Sequence, residues 1–305
     1  MRLPRLNRWS FGLTGVFIVM ALLYTVVSVF LANGVTKADR VAFEHTPDDY
    51  NLLFKEVAFN TRGSGISLKG WYIHSSDDAP TIIFVHGLGN NRAGDEALDL
   101  ASRLWADGFN TLLFDLRGHG ISGDGKVSGG YFEQNDLLGA YDFLLSEGVR
   151  SEQIGVIGFS MGAAASVLGV SKEPNIRALV VDSPFANTPD LITQEVARTT
   201  PIPKWIVPVF NPGTVLAANL LHGIKLDELD PESAVGGIDY PILLIHGIDD
   251  TRIPVEHGIR VHAAAHQRSS LWLVPDTDHV DSFLNNPDEY TERVIIYFRD
   301  RLDFQ

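Results

Sequence analysis

The sequence predicts an α/β fold: an open, mostly parallel sheet with helices on both faces, interrupted by an insertion and preceded by an apolar helix. Three observations carry this reading. The runs "TIIFVHG", "NTLLFDL", "QIGVIGF" and "RALVVDS" are continuously apolar, as suits strands buried on both faces of a parallel sheet. Helix-like segments alternate with them: Leu98, Leu100, Ala101 and Leu104 form one apolar face, and Leu137, Leu138, Tyr141, Leu144 and Leu145 another. Alternating strands and helices of this kind build parallel crossovers. Finally, 305 residues with 45% hydrophobic and 20% charged content are enough for a sizeable core and exclude a disordered chain.

The elements follow in order. From Phe11 to Ala32 the chain runs for 22 residues without a charge. A helix of that length rises about 33 Å, enough to cross a bilayer core. The run is longer than the roughly 7–15 apolar residues of a signal peptide, and "FLANG" is a poor cleavage site, so an uncleaved anchor is expected over 11–32. Arg2, Arg5 and Arg8 precede it, and Lys37 and Arg40 follow. That bias predicts a cytoplasmic tail over 1–10 and an extracytoplasmic main domain. Residues 33–50 are polar and read as a linker.

A single domain is expected over 51–305. "KEVAFNT" and "ISLKGWYIHS" alternate apolar and polar residues about a Gly-rich turn, as antiparallel strands do. After Asp182 the strand–helix alternation stops. The stretch over about 186–237, with Pro189, Pro201, Pro203, Pro208 and Pro212 and no clear strand, reads as a small cap inserted over the sheet. "PILLIHG" and "SLWLVPD" restore the sheet. A last helix is expected with Asn286 as cap, Pro287 at its first position, and Tyr290, Val294, Ile295 and Phe298 facing inward. The net charge of −14 argues against a nucleic-acid partner, and the absence of cysteine excludes disulfides and thiolate metal sites. No cofactor is expected.

In open α/β sheets, ligands bind beyond the carboxyl ends of the strands. Here those ends carry His86, Asp115, Ser160, Asp182, the pair Asp249 and Asp250, and the group Asp276, Asp278 and His279. Gly158-Phe-Ser160-Met-Gly162 has the form of a nucleophile elbow, a turn so sharp that residues two away from the serine must lack a Cβ. The following helix start directs the Met161 N–H at the site, where it can bind a developing oxyanion. A dinucleotide fingerprint needs glycine where Ser160 stands and an acidic residue about 20 positions on, at Val180.

A serine hydroxyl needs a base. His279 follows the last strand and satisfies the chain order serine, acid, histidine. His86 comes too early, His246 is expected to be buried, and His119 in "RGHG" to shape a turn. Asp250 is the expected acid, with Asp182 as the alternative; its neighbour Asp249 can instead cap the loop. The acidic loop of Asp276, Asp278 and Asp281 beside a single histidine does not suit a metal.

The pieces "FVHGLGNNR", "FDLRGHGISG", "IGFSMGAAAS", "PILLIHGIDDTRIP" and "TDHVDSF" resemble, in order and spacing over roughly residues 52 to 305, the α/β-hydrolase superfamily. They look most like its serine-aminopeptidase or monoacylglycerol-lipase-like group. The resemblance implies Ser160 as nucleophile, His279 as base, and the backbone N–H groups of Leu88 and Met161 as the oxyanion hole. The group's pattern HG-x-x-D-x-x-[VI]-P falls on His246, Gly247, Asp250, Ile253 and Pro254, which implies Asp250 as the acid. The expected function is a membrane-anchored serine esterase acting on a small-molecule or lipid-like acyl substrate. An aminopeptidase, with Glu195 of the cap holding a substrate amine, and a non-catalytic binding protein are the alternatives. Trp205, Ile206, Val207, Val209 and Phe210 are either lipid-facing or the core of the cap.

Overall fold

Eight strands form one sheet in the computed structural model, which describes residues 8–34, 36, 38–199 and 203–303. Arg2, Arg5, Lys37 and Pro201, named above, lie outside the described residues, as does most of the expected 1–10 tail. The strands are β1 (Phe54–Asn60), β2 (Ser67–Ile73), β3 (Thr81–Val85), β4 (Asn110–Asp115), β5 (Ile154–Phe159), β6 (Ala178–Asp182), β7 (Leu243–Gly247) and β8 (Ser270–Val274). Their order is β1-β2-β4-β3-β5-β6-β7-β8. Only the two contacts of β2 are antiparallel. From β4 onward the sheet is parallel, as the continuous apolar runs require.

Register aligns the carboxyl ends. Val85 pairs with Gly158, Phe159 with Asp182, Asp182 with Ile245 and Gly247 with Val274. Every loop leaving β3, β5, β6, β7 and β8 therefore emerges at one edge of the sheet.

The helices are α1 (Arg8–Gly34), α2 (Ala97–Ala106), α3 (Gln134–Ser146), α4 (Met161–Val170), α5 (Thr188–Thr199), α6 (Asn211–His222), α7 (Pro231–Val235), α8 (Glu256–Ala264), α9 (Ser282–Asn285) and α10 (Pro287–Arg301). Alternate strand residues feed two cores. Ile83, Val156 and Val181 pack with Leu137 of α3, Val167 of α4 and Val261 of α8. Ile82, Ile157 and Val180 pack on the opposite face with Leu98 and Leu104 of α2 and Val294 and Phe298 of α10. Each fully buried Leu, Ile or Val contributes about 1.5–3 kcal/mol. Asn286 stands at the N-cap of α10 and Pro287 at its first position, but the Asn286 side chain makes no capping bond; on that point the expected cap is corrected.

The insertion between β6 and β7 comprises α5, α6 and α7, with no strand among its described residues. α1 reaches it. The ring of Tyr24 stacks on Phe210 at 5.4 Å, the Gly213 N–H donates to the Tyr24 hydroxyl (2.9 Å), and His222 Nε2 bonds Asn33 Oδ1 (2.7 Å). Ala32 is buried in one cluster with Phe185, Ala217 and Ala218. Leu13–Gly34 is long and apolar enough to cross a membrane, and most of it is exposed.

The segment expected as a linker is folded onto the domain. Arg40 donates to the carbonyls of His119, Gly120 and Ser122 and pairs with Asp124, while the Val41 and Ala42 carbonyls accept from Asn91 Nδ2. Phe43 lies against Trp71 at 5.1 Å. The buried Arg92 guanidinium lies against both rings, 5.0 Å from that of Phe43 and 4.8 Å from that of Trp71. It donates to Asp115 Oδ2 (2.9 Å), a carboxylate that also accepts from the backbone of Arg92 and Ile121. This buried pair ties the segment to the turn after β4, at the carboxyl edge of the parallel strands. Arg92→Ala leaves Asp115 buried without its cation and should cost about 3–5 kcal/mol of stability, read by chemical denaturation. A loss within experimental error would show that the pair does not hold the turn.

Candidate active site

The site begins with a steric constraint at the end of β5. Ser160 has φ 52 and ψ −117, a region that L residues avoid. A Cβ at Gly158 would lie 2.6 Å from the Gly162 carbonyl oxygen, and one at Gly162 would overlap the Val85 carbonyl. Glycine at both positions lets α4 start directly over the ends of β3 and β5, with the Ser160 hydroxyl at the apex. The Ser160 N–H is held by the Asp182 carbonyl (2.9 Å).

The structure brings Ser160, His279 and Asp250 together from three separate strand ends. The Ser160 hydroxyl lies 2.8 Å from His279 Nε2, and His279 Nδ1 lies 2.7 Å from Asp250 Oδ2. With Asp250 ionised, Nδ1 carries the proton and Nε2 accepts from the serine. Burial pushes the Asp250 carboxyl up, but hydrogen bonds from His246, His279 and the Ile253 N–H outweigh it and hold the group well below the usual carboxylate range. Its second oxygen accepts from the backbone of Arg252 (2.9 Å) and Ile253 (2.7 Å).

The other candidates occupy different roles. Asp249 is exposed. Asp278 accepts from Thr251 and from the His279 N–H, clipping the loop that carries the imidazole. Among the described residues, no three His, Asp or Glu side chains converge as metal ligands. Asp182 does not bond His279, both of whose ring nitrogens are engaged. Its carboxylate accepts from the Ser183 hydroxyl (3.0 Å), and the Val280 N–H contacts that hydroxyl at 3.4 Å. Asp182 thus braces the histidine loop from below.

His86 and His119 prove more informative than their expected roles suggested. Burial lowers His86 to about 4 and also pushes His119 down, so both rings are neutral. His86 bonds the Gly87 carbonyl and accepts from the Leu116 N–H (3.0 Å); His119 accepts from the Gly89 N–H (3.3 Å). The Gly87 N–H goes to Asp95 Oδ2 (2.9 Å), whose other oxygen accepts from Asn90. The N–H groups on either side of Leu88 are therefore taken, and that of Leu88 is not so engaged. The Met161 N–H stands at the first helical position, where no intrahelical acceptor exists. Sequence reasoning missed Asp95, which shows no motif spacing of its own and reveals itself only through the loop it holds.

Leu88, Ser160 and Met161 line one pocket of about 160 Å³. The cap contributes Leu191, Ile192 and Glu195 to its wall, and Gly34, the last residue of α1, closes one side.

With this geometry in view, the comparisons show what the chain is similar to. The fold is that of the α/β hydrolases, and the family model described as alpha/beta hydrolase fold matches residues 80–206. The chain is similar to the protein YfhR of Escherichia coli (strain K12), 29% identical over 270 residues that cover 85% of this chain and 84% of that one. It is 27% identical to the lysophosphatidylserine lipase ABHD12 of Danio rerio over 210 residues, 66% of this chain and 51% of the lipase. Among solved structures, the Pyrococcus furiosus esterase Pf2001 superposes with a TM-score of 0.70 at 27% identity, covering 88% of this chain and 100% of the esterase.

The buried carboxyl of Asp182 generates a pH prediction. Burial pushes it up to about 6, outweighing the Ser183 and Tyr290 hydroxyls and the nearby imidazoles of His246 and His279, which act to lower it. The folded state therefore binds a proton between about pH 4 and pH 6 that the unfolded chain has released, and stability from this group falls as pH rises through that window. Asp182→Asn removes the effect. Its stability relative to wild type should rise by about 2–3 kcal/mol from pH 4 to pH 7, measured by urea denaturation. An offset independent of pH would contradict the assignment.

Proposed function

We propose that the protein is a membrane-anchored serine hydrolase that cleaves carboxylic acyl esters. The observation that carries this reading is the unbroken hydrogen-bonded line from Ser160 through His279 to Asp250, opening into a pocket walled by apolar side chains. Ser160 Oγ attacks the ester carbonyl while its proton passes to His279 Nε2, and the Asp250 carboxylate stabilises the imidazolium. The N–H groups of Leu88 and Met161 receive the oxyanion; each such donor is worth about 3–4 kcal/mol. Collapse breaks the bond to the alcohol, which leaves with the proton from His279. Water, deprotonated by the same nitrogen, then attacks the acyl-serine, releasing the acid and restoring Ser160.

The similarity to an esterase and to a lysophosphatidylserine lipase supports an ester over a peptide substrate. So does Glu195. It lines the pocket where an aminopeptidase would hold a substrate amine, but its carboxylate already pairs with Arg198 at 2.6 Å. Anchoring rests on the length and apolarity of α1, and the packing of its last turns into the cap supports an uncleaved helix. A cytoplasmic N-terminus with an extracytoplasmic domain remains the expected topology.

Ser160→Ala should lower hydrolysis of short p-nitrophenyl esters by about 10³-fold or more, and His279→Ala by a similar factor without adding to it. Unchanged activity in either variant rules out the assignment. A fluorophosphonate probe should label wild type at Ser160; a folded protein that never labels favours the binding-protein alternative. An aminoacyl-amide assayed in parallel should be turned over far more slowly than an ester, and the reverse order would support the peptidase.

A further inference from the structure

The cap carries a feature that ester hydrolysis does not explain. Twenty residues from Trp205 to Ile224 contain no Asp, Glu, Lys or Arg, in a chain of net charge −14, and Lys204 and Lys225 bracket them. α6 occupies the middle of this stretch. Its inner side, with Thr214, Ala217 and Ala218, is buried. Its outer side exposes Leu216, Leu220 and Leu221, and the preceding turn exposes Trp205 (77%) and Val209. Scattered exposed leucines are ordinary, but a contiguous uncharged set is not.

The same leucines line a groove of about 230 Å³ together with Tyr24, Thr25 and Val29 of α1, so the apolar face of the cap is continuous with the apolar helix. Contacts from Tyr24–Phe210 to Asn33–His222 run α6 alongside the last three turns of α1. Tyr24 lies ten residues, about 15 Å, before the end of that helix. If α1 crosses a bilayer, α6 lies level with its upper half, where hydrocarbon and headgroups replace water. Gly34, at the end of α1, shares a pocket with Ser160.

We propose that the face from Trp205 to Leu221 is inserted into the bilayer beside α1, so that the pocket opens onto the lipid surface and takes a bilayer-resident acyl ester as substrate. The inference rests on reading α1 as an anchor and Ser160 as a nucleophile. The pocket, at about 160 Å³, is smaller than the roughly 300–1,000 Å³ of most ligand sites. It holds the reacting ester and its nearest carbons, while the rest of a lipid remains in the membrane.

The test uses the full chain in phosphatidylcholine vesicles whose acyl chains carry bromine, a quencher of tryptophan. Wild type should show more quenching than Trp205→Phe, whose remaining signal comes from Trp9 at the start of α1; the difference reads Trp205. In the same vesicles, the pair Leu216→Glu and Leu220→Glu should hydrolyse an embedded long-chain ester about tenfold more slowly or worse, with p-nitrophenyl acetate turned over as before. An unquenched Trp205, or wild-type turnover of the embedded ester by the double variant, overturns the proposal. If both substrates slow together, quenching of Trp205 in wild type decides. An unquenched Trp205 with cap-to-cap crosslinks would assign the face to a second copy of the chain. If wild type hydrolyses neither ester while Trp205 is quenched, the membrane seating stands and the serine-hydrolase reading falls.

Discussion

The structure depends on one close approach, where α4 leaves β5. Backbone from β3, β5 and the first turn of α4 meets with no room for a Cβ at Gly158 or Gly162. The serine between them is left in a strained conformation that costs about 1–3 kcal/mol. Burial outweighs it: all ten residues of α4 are buried, and Val167, Leu168 and Val170 alone contribute several kcal/mol. Strain is tolerated here because α4 cannot relax without uncovering its own core. The same geometry sets the helix start and the end of β3 side by side, so the Met161 N–H and the Leu88 loop face a common point.

Around that turn, neutral and charged groups are kept apart. The imidazoles of His86 and His119 are buried and neutral, 5.0 Å apart, and serve as struts for backbone. The carboxylate of Asp250 is held ionised by two backbone N–H donors and a histidine on its oxygens. Asp182, one strand away and more deeply buried, lacks that set and is pushed toward its protonated form. Two buried aspartates at adjacent strand ends are thus shifted in opposite directions, because their hydrogen-bond donors and their depth differ.

This contrast shows what could be read from the sequence. The buried strands announced themselves, because a strand covered on both faces must be continuously apolar, and their ends nominated Ser160, Asp250 and His279. The choice among Asp182, Asp249 and Asp250 was not legible from residue type, since it turns on which carboxylate meets the Arg252 and Ile253 amides. The docking of residues 38–50 was equally hidden. Arg40 finds backbone carbonyls about 80 positions away, and carbonyls leave no mark in a sequence. Asp95 escaped for the same reason, its main partner being the Gly87 N–H.

The N-terminal helix and the cap are separated in sequence by six of the eight strands, yet they line the same pocket. Small residues make their approach possible: a Cβ at Gly213 would meet Tyr24 Cε1 at 2.7 Å and overlap Ser28, and Ala32 is fully buried against the cap cluster. Helices that pack through small residues do so at short range and with defined geometry, which suits contacts made beside or within lipid. Removing α1 would uncover Ala217 and Ala218 and open the pocket wall at Gly34. Helix and insertion are therefore better regarded as one unit, in which whatever fixes α1 in space also fixes the wall of the pocket that Gly34 shares with Ser160.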